Sequence, residues 1–226
     1  MDQDNKPAAP RDVDKTHNLR DLLIDGPPLF DGDEPDEVLV WPHPWLRLKS
    51  LPMGEYYATD DAPVAFDELV PRLLKTMRQR EAIGLSAILI GIPARVAVLE
   101  FSPTDKPEDR AHIALIDPEI RSMSKKLIEV EVGCLSLPGV TAKIKRPESI
   151  VFTTGRFGLP GRVALEAKGL VAANVLHQMD LMDGVLYWQR LSRQRQRSVL
   201  KQYERLVLDK MAGEAAPVLK QAISEV

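Results

Sequence analysis

An α+β fold follows from the order of elements in the sequence: one amphipathic helix, a run of short strands, then two more helices. Three observations carry it. Leu69, Leu73, Leu74 and Met77 recur at helical spacing between residues 67 and 80. The middle of the chain breaks into short runs rich in β-branched residues, many of them separated by Gly or Pro. The strand runs do not alternate with helical ones, as a parallel βαβ sheet would require.

The elements follow in order. Residues 1–37 are rich in Asp, Pro and Lys and include the acidic run Asp31-Gly32-Asp33-Glu34-Pro35-Asp36, which reads as a flexible N-terminal arm. Order is expected to begin at Val38. The first helix spans 67–80, with Asp67 as N-cap and Pro71 near enough to its start to be tolerated. Strands are expected over 95–99, 113–116, 127–130, 149–154 and 162–167, the last two forming a hairpin across Gly155–Gly161. Leu170 to Met182 reads as a helix apolar on most sides, and therefore central, closed by Gly184. Ser192 is a good N-cap for a third helix running to about Met211. One domain, 38–212, is expected, followed by a tail over 213–226.

Composition narrows the function. The chain has 226 residues, 44% hydrophobic and 28% charged, as in an ordinary globular protein. A net charge of −3 argues against general nucleic-acid binding. The single cysteine, Cys134, excludes an intramolecular disulfide and fits a reducing compartment. The start Met1-Asp2-Gln3-Asp4 has neither the basic nor the apolar part of a secretory signal. With no apolar run approaching ~18 residues, a cytoplasmic protein without a membrane span is expected.

Three segments carry candidate chemistry. Gly84-Leu85-Ser86-Ala87-Ile88-Leu89-Ile90-Gly91, taken alone, is more often a tight turn into a strand than a binding loop. In Gly133-Cys134-Leu135-Ser136-Leu137-Pro138-Gly139, a lone cysteine is ordinarily a small buried hydrophobe. In His177-Gln178-Met179-Asp180-Leu181, a lone histidine on an apolar helix is ordinarily a core residue.

Together, in this order, the three resemble the peptide deformylase family. That family carries a Gly-Leu-small-Ala-x-Gln-(Ile/Val)-Gly loop, a Glu-Gly-Cys-Leu-Ser segment and a His-Glu-x-x-His helix. The resemblance extends to His43-Pro44, Leu46-Arg47, Pro138-Gly139-Val140, Arg146-Pro147 and Gly184 with Leu186-Tyr187, and covers roughly residues 38–205. It implies antiparallel sheets packed around a central helix that carries the 177–181 segment, plus a C-terminal helix.

The resemblance also implies roles. In the family, a cysteine and two histidines hold Fe²⁺ or Zn²⁺ with an open position for water, and the glutamate serves as general base and acid. The loop glutamine and the backbone N–H after the cysteine stabilise the oxyanion. Here Cys134 and His177 stand at two ligand positions and Leu181 at the third, where it cannot bind metal. Gln178 stands at the glutamate position and Leu89 at the glutamine position; Leu135 would supply the backbone N–H. Val132 replaces the acid before Gly133, with Glu131 one residue earlier. Gly84, Leu85, Gly133 and Val140 would line the substrate site.

The expectation is a deformylase-like protein without bound cofactor and without metal-dependent deformylase activity, binding a nascent N-terminal peptide, the ribosome or a protein partner. Two alternatives stay open. One is a metallohydrolase acting on N-formylmethionyl peptides with an altered ligand set, Asp180 being the carboxylate at hand. The other is a metal-free enzyme built on a Cys134–His177 thiol–imidazole pair. The basic residues 190–205 are either a solvated helix face or, by the resemblance, a contact for ribosomal RNA.

Overall fold

A computed structural model describes residues 16–17, 34–59, 64–102 and 110–210 of the chain. The tail 213–226 and most of the N-terminal arm lie outside the described residues. Among the described residues nine strands form three sheets. The largest runs in the order β1 (Thr16–His17), β9 (Leu159–Lys168), β8 (Ser149–Arg156), β5 (Glu119–Met123). The second is β2 (Gly84–Ser86), β3 (Val96–Phe101), β4 (Ala111–Ile116), and the third is the hairpin β6 (Leu127–Gly133) with β7 (Thr141–Pro147). Pairings between these strands are antiparallel except β1 with β9. The helices are α1 (Met53–Tyr57), α2 (Phe66–Gln79), α3 (Gly169–Met182) and α4 (Arg193–Lys210). The α+β expectation holds.

The apolar stripe of α2 buries Leu69, Leu73, Leu74 and Met77, as its spacing requires. The helix begins one residue earlier than expected. Ala65 is the N-cap, and Asp67 sits in the first turn, where its charge favours the helix dipole without a capping bond. The 149–168 hairpin is longer than the sequence runs indicate: Thr154 faces Val163, Gly155 faces Arg162 and Arg156 faces Leu159, so only Phe157-Gly158 remain as the turn. Gly158 takes φ +70°, which a residue with a Cβ rarely adopts.

Two contacts fall inside the segment that composition reads as a flexible arm. Thr16–His17 add a parallel strand to β9, and the Asp36 carboxylate is gripped by Arg72 of α2 and by the Thr76 hydroxyl.

α3 contributes to two cores. Ala173 and Leu181 pack into the core around Trp41, Leu73 and Tyr187, while Val175, Met179 and Met182 pack into a second around Phe152 and Leu165. A helix apolar on most sides is what such a position needs.

The segment 39–50 joins the site segments through backbone hydrogen bonds. The Leu39 N–H donates to the Leu89 carbonyl at 2.7 Å, the Trp41 N–H to Ser136 at 2.8 Å and the Ser50 N–H to Met182 at 2.7 Å. Residues 39–50 thus touch the loop, the cysteine segment and the end of α3 in turn.

Candidate functional site

A cavity of about 560 Å³ opens between β2, β6 and α3. β2 pairs only with β3, and β6 only with β7, so each presents an unpaired strand edge among the described residues. Leu89, Leu137 and Leu181 make much of the lining apolar, with Cys134, His177 and Gln178 on the same wall. The three motif segments therefore meet at one place.

Along β2 the side chains alternate. Gly84 lines the cavity, but the Leu85 side chain is fully buried in the core. The expectation that Leu85 lines the substrate site is thus corrected for its side chain, which leaves only its backbone to meet a ligand. Gly84 has a steric reason to be glycine: a Cβ there would lie 2.6 Å from Gln178 Nε2 and 2.7 Å from Asn174 Oδ1.

Asn174, one turn before Gln178 on α3, was not singled out by the sequence motifs. Its Oδ1 accepts from Gln178 Nε2 at 3.0 Å, and its Nδ2 donates to the Ile83 carbonyl at 2.9 Å. Gln178 is only 2% exposed, and its Oε1 has no hydrogen-bond partner among the described residues. An i, i+4 pair of amides on an otherwise apolar helix is the signal that could have revealed Asn174.

Cys134 ends the β6 segment, with its sulfur accepting from the Ser136 hydroxyl at 3.1 Å. Burial pushes the thiol above its ordinary value; the Ser136 hydroxyl and the backbone N–H groups of Ser136 and Leu135, which face the sulfur, oppose this. Burial likewise pulls the His177 imidazole down to about 4, with Asp180 acting upward and Arg146 downward. His177 is therefore neutral near pH 7, and its Nδ1 has no partner among the described residues. Among the described residues no hydrogen bond joins Cys134 to His177. A thiol raised by burial and bonded to a serine lacks the activation by a neighbouring base that a thiol–imidazole pair uses.

The donor set does not fit a tetrahedral metal site. Cys134 and His177 supply two ligand-type side chains. Leu181, 1% exposed, supplies none. Asp180 is not available as a substitute, because Arg146 Nη2 donates to its Oδ2 at 2.5 Å and Arg190 Nη2 to its Oδ1 at 2.5 Å. Among the described residues, no three His, Cys, Asp or Glu side chains converge.

The remaining expected positions fall on the cavity wall. Gly133, Leu135 and Val140 line it, as does Leu89, an apolar side chain with nothing to donate. The Val140 carbonyl accepts from the fully buried Tyr187 hydroxyl at 2.9 Å, tying the exit of α3 to the segment after Cys134.

The chain has relatives among known proteins. Residues 35–197 match the model of the polypeptide deformylase family. The chain is 33% identical over 177 residues to a peptide deformylase of Mesorhizobium japonicum, covering 78% of this chain and 95% of that one. It is 34% identical over 167 residues to one from Agrobacterium fabrum, covering 74% and 92%. In three dimensions it resembles the crystal structure of a peptide deformylase from Legionella pneumophila, with a TM-score of 0.65 and 26% identity over 80% of this chain and 100% of that one.

Proposed function

Since the chain belongs to the polypeptide deformylase family, we propose that it keeps the family's peptide cleft and uses it to bind the end of a polypeptide without metal-dependent hydrolysis. The observation that carries this reading is the wall of the cavity. Leu181 and Leu89 are apolar where a ligand and an oxyanion donor are required, while the strand edges of β2 and β6 still flank the opening. Two facing edges suit an extended peptide, whose main chain hydrogen-bonds the strands while one side chain fills the cavity.

The substitutions are mutually consistent. An ionised glutamate at 178 without a neighbouring cation would be costly in this dry wall. Gln178 is neutral and has an amide partner in Asn174. The two leucines pack as core.

Metal analysis of purified protein, with turnover of a formyl-methionyl peptide, tests the reading. Stoichiometric Fe, Zn or Ni that disappears in Cys134→Ala, accompanied by turnover, would overturn it. The expected result is neither metal nor turnover, with retained peptide binding. The further proposal of a ribosomal contact rests on exposed Arg193, Arg197, Lys201 and Arg205 of α4; Arg190 and Arg195 are committed to Asp180 and to the Lys143 carbonyl. Salt-sensitive cosedimentation with ribosomes tests that contact.

A further inference from the structure

The polar groups of the cavity have an uneven hydrogen-bond character. Gln178 Nε2 is committed to Asn174 Oδ1, and Asn174 Nδ2 to the Ile83 carbonyl. That arrangement fixes the Gln178 amide with its acceptor unmatched: Oε1 is buried and has no partner among the described residues. Leu89 and Leu181 donate nothing, and the N–H groups of Leu135 and Ser136 face the Cys134 sulfur. The imidazole of His177 has one N–H and one lone pair when neutral, so it can meet either a donor or an acceptor and does not discriminate. Among the described residues the ionisable side chains at the rim are Glu81 and Glu131, and no Lys or Arg lines the cavity. Glu131 faces Lys143 across the β6–β7 hairpin, so Glu81 is the less compensated of the two.

A site with an unmatched acceptor, an acidic rim and, apart from the His177 imidazole, no free side-chain donor among the described residues favours a ligand rich in N–H groups. A formylated peptide end brings one N–H and a carbonyl, and that carbonyl would compete for the single imidazole N–H or remain unpaired. Leaving a polar group desolvated and unpaired is the costly case. A free amino terminus brings two or three N–H groups and no carbonyl. Its ordinary pKa of about 7.7–8 lies near neutrality, so it can shed a proton on entry with little penalty, or keep it and be drawn by the rim.

We propose that the cavity receives the unblocked amino terminus of a peptide with an apolar first residue, selected by the Gln178 carbonyl that Asn174 holds in place. Asn174 is then a positioning residue. The ligand is the kind of molecule released when an acyl group is hydrolysed from a peptide's amino end, so the protein would act after such a reaction. This inference rests on the peptide-binding reading above.

The test compares two C-terminally labelled Met-Ala-Ser peptides, one with a free and one with a formylated amino terminus, by fluorescence anisotropy with the full chain at pH 7. The free form is expected to bind at least fivefold more tightly. Asn174→Ala releases the Gln178 amide to present its N–H, and the ratio is expected to fall toward one; Gln178→Leu removes the acceptor and should do the same. Equal or tighter binding of the formyl peptide by the unmodified protein overturns the inference and leaves the peptide cleft standing. An unchanged ratio in both folded variants also overturns it. If neither peptide binds at millimolar concentration, the peptide-binding reading itself fails and the inference with it.

Discussion

Arg146 donates to the Asp180 carboxylate at 2.5 Å, and both side chains are more than nine-tenths buried. Arg190 closes the same carboxylate from its other oxygen. Two cations on one buried anion tie β7 and the segment after α3 to the helix that carries the site. Removing the carboxylate would strand the Arg146 charge in the interior. Asp180→Ala is expected to lower unfolding free energy by about 3–5 kcal/mol. Urea unfolding measures this, and a loss below about 1 kcal/mol would show that the cluster is not structurally needed.

The Asn174–Gln178 pair makes a second prediction. A glutamate at 178 would place a carboxylate against Asn174 Oδ1, an acceptor facing an acceptor. Turning the asparagine would cost its bond to the Ile83 carbonyl. Gln178→Glu alone is expected to destabilise the fold by about 1–3 kcal/mol, and adding Asn174→Ala should recover part of that loss. Restoring the family residues by Leu89→Gln, Gln178→Glu and Leu181→His should therefore regain metal only poorly while Asn174 remains, and better in the fourfold variant. Metal content of the two variants side by side decides this.

How much of this was legible in the sequence depends on which force shaped each part. α2, α3 and the β8–β9 hairpin were visible because apolar periodicity sets them. β7 was not: Thr141, Lys143 and Lys145 face outward, and Ile144 is its one fully buried apolar side chain. β5 is a mostly exposed strand with a register shift between Ile120 and Ser122. Cys134, His177, Gln178 and Leu181 were located by their motifs. The i, i+4 spacing of Asn174 and Gln178 is local, but the bond from Asn174 to the Ile83 carbonyl and that from Arg146 to Asp180 join residues distant in sequence, which no local pattern discloses.

Gly184 ends α3 with φ +72°, and a Cβ there would lie 2.4 Å from the Arg47 carbonyl oxygen. Gly184→Ala must therefore bear the strain of the left-handed backbone, about 1–3 kcal/mol, and must also displace the neighbouring chain. Its melting temperature should fall well below that of Gly158→Ala, where φ is also positive but nothing lies within 4 Å. Equal losses would show that close approach at residue 47 does not matter.

His112 supplies a pH dependence. Burial first, and Arg78 second, pull its imidazole below the ordinary 6.5; Glu100 opposes them and Arg110 adds to them. The unfolded chain takes up this proton as pH falls through about 6.5, whereas the folded chain resists until its own lower value. Protonation thus favours unfolding, and stability is lost as pH drops below that point. Urea midpoints at pH 7.0 and 5.5 should fall less in His112→Gln than in the unmodified protein. Parallel falls would remove His112 as a source.

The three backbone bonds made by Leu39, Trp41 and Ser50 bear on how such a protein can arise. Main-chain amides are the same whatever side chain they carry. A scaffold fastened at Leu89, Ser136 and Met182 through carbonyl oxygens is therefore blind to mutation of the groups that perform chemistry. Reactive side chains can be exchanged one by one while the frame that aims them stays in register. In this architecture, exchange of a reactive side chain does not entail a change of shape.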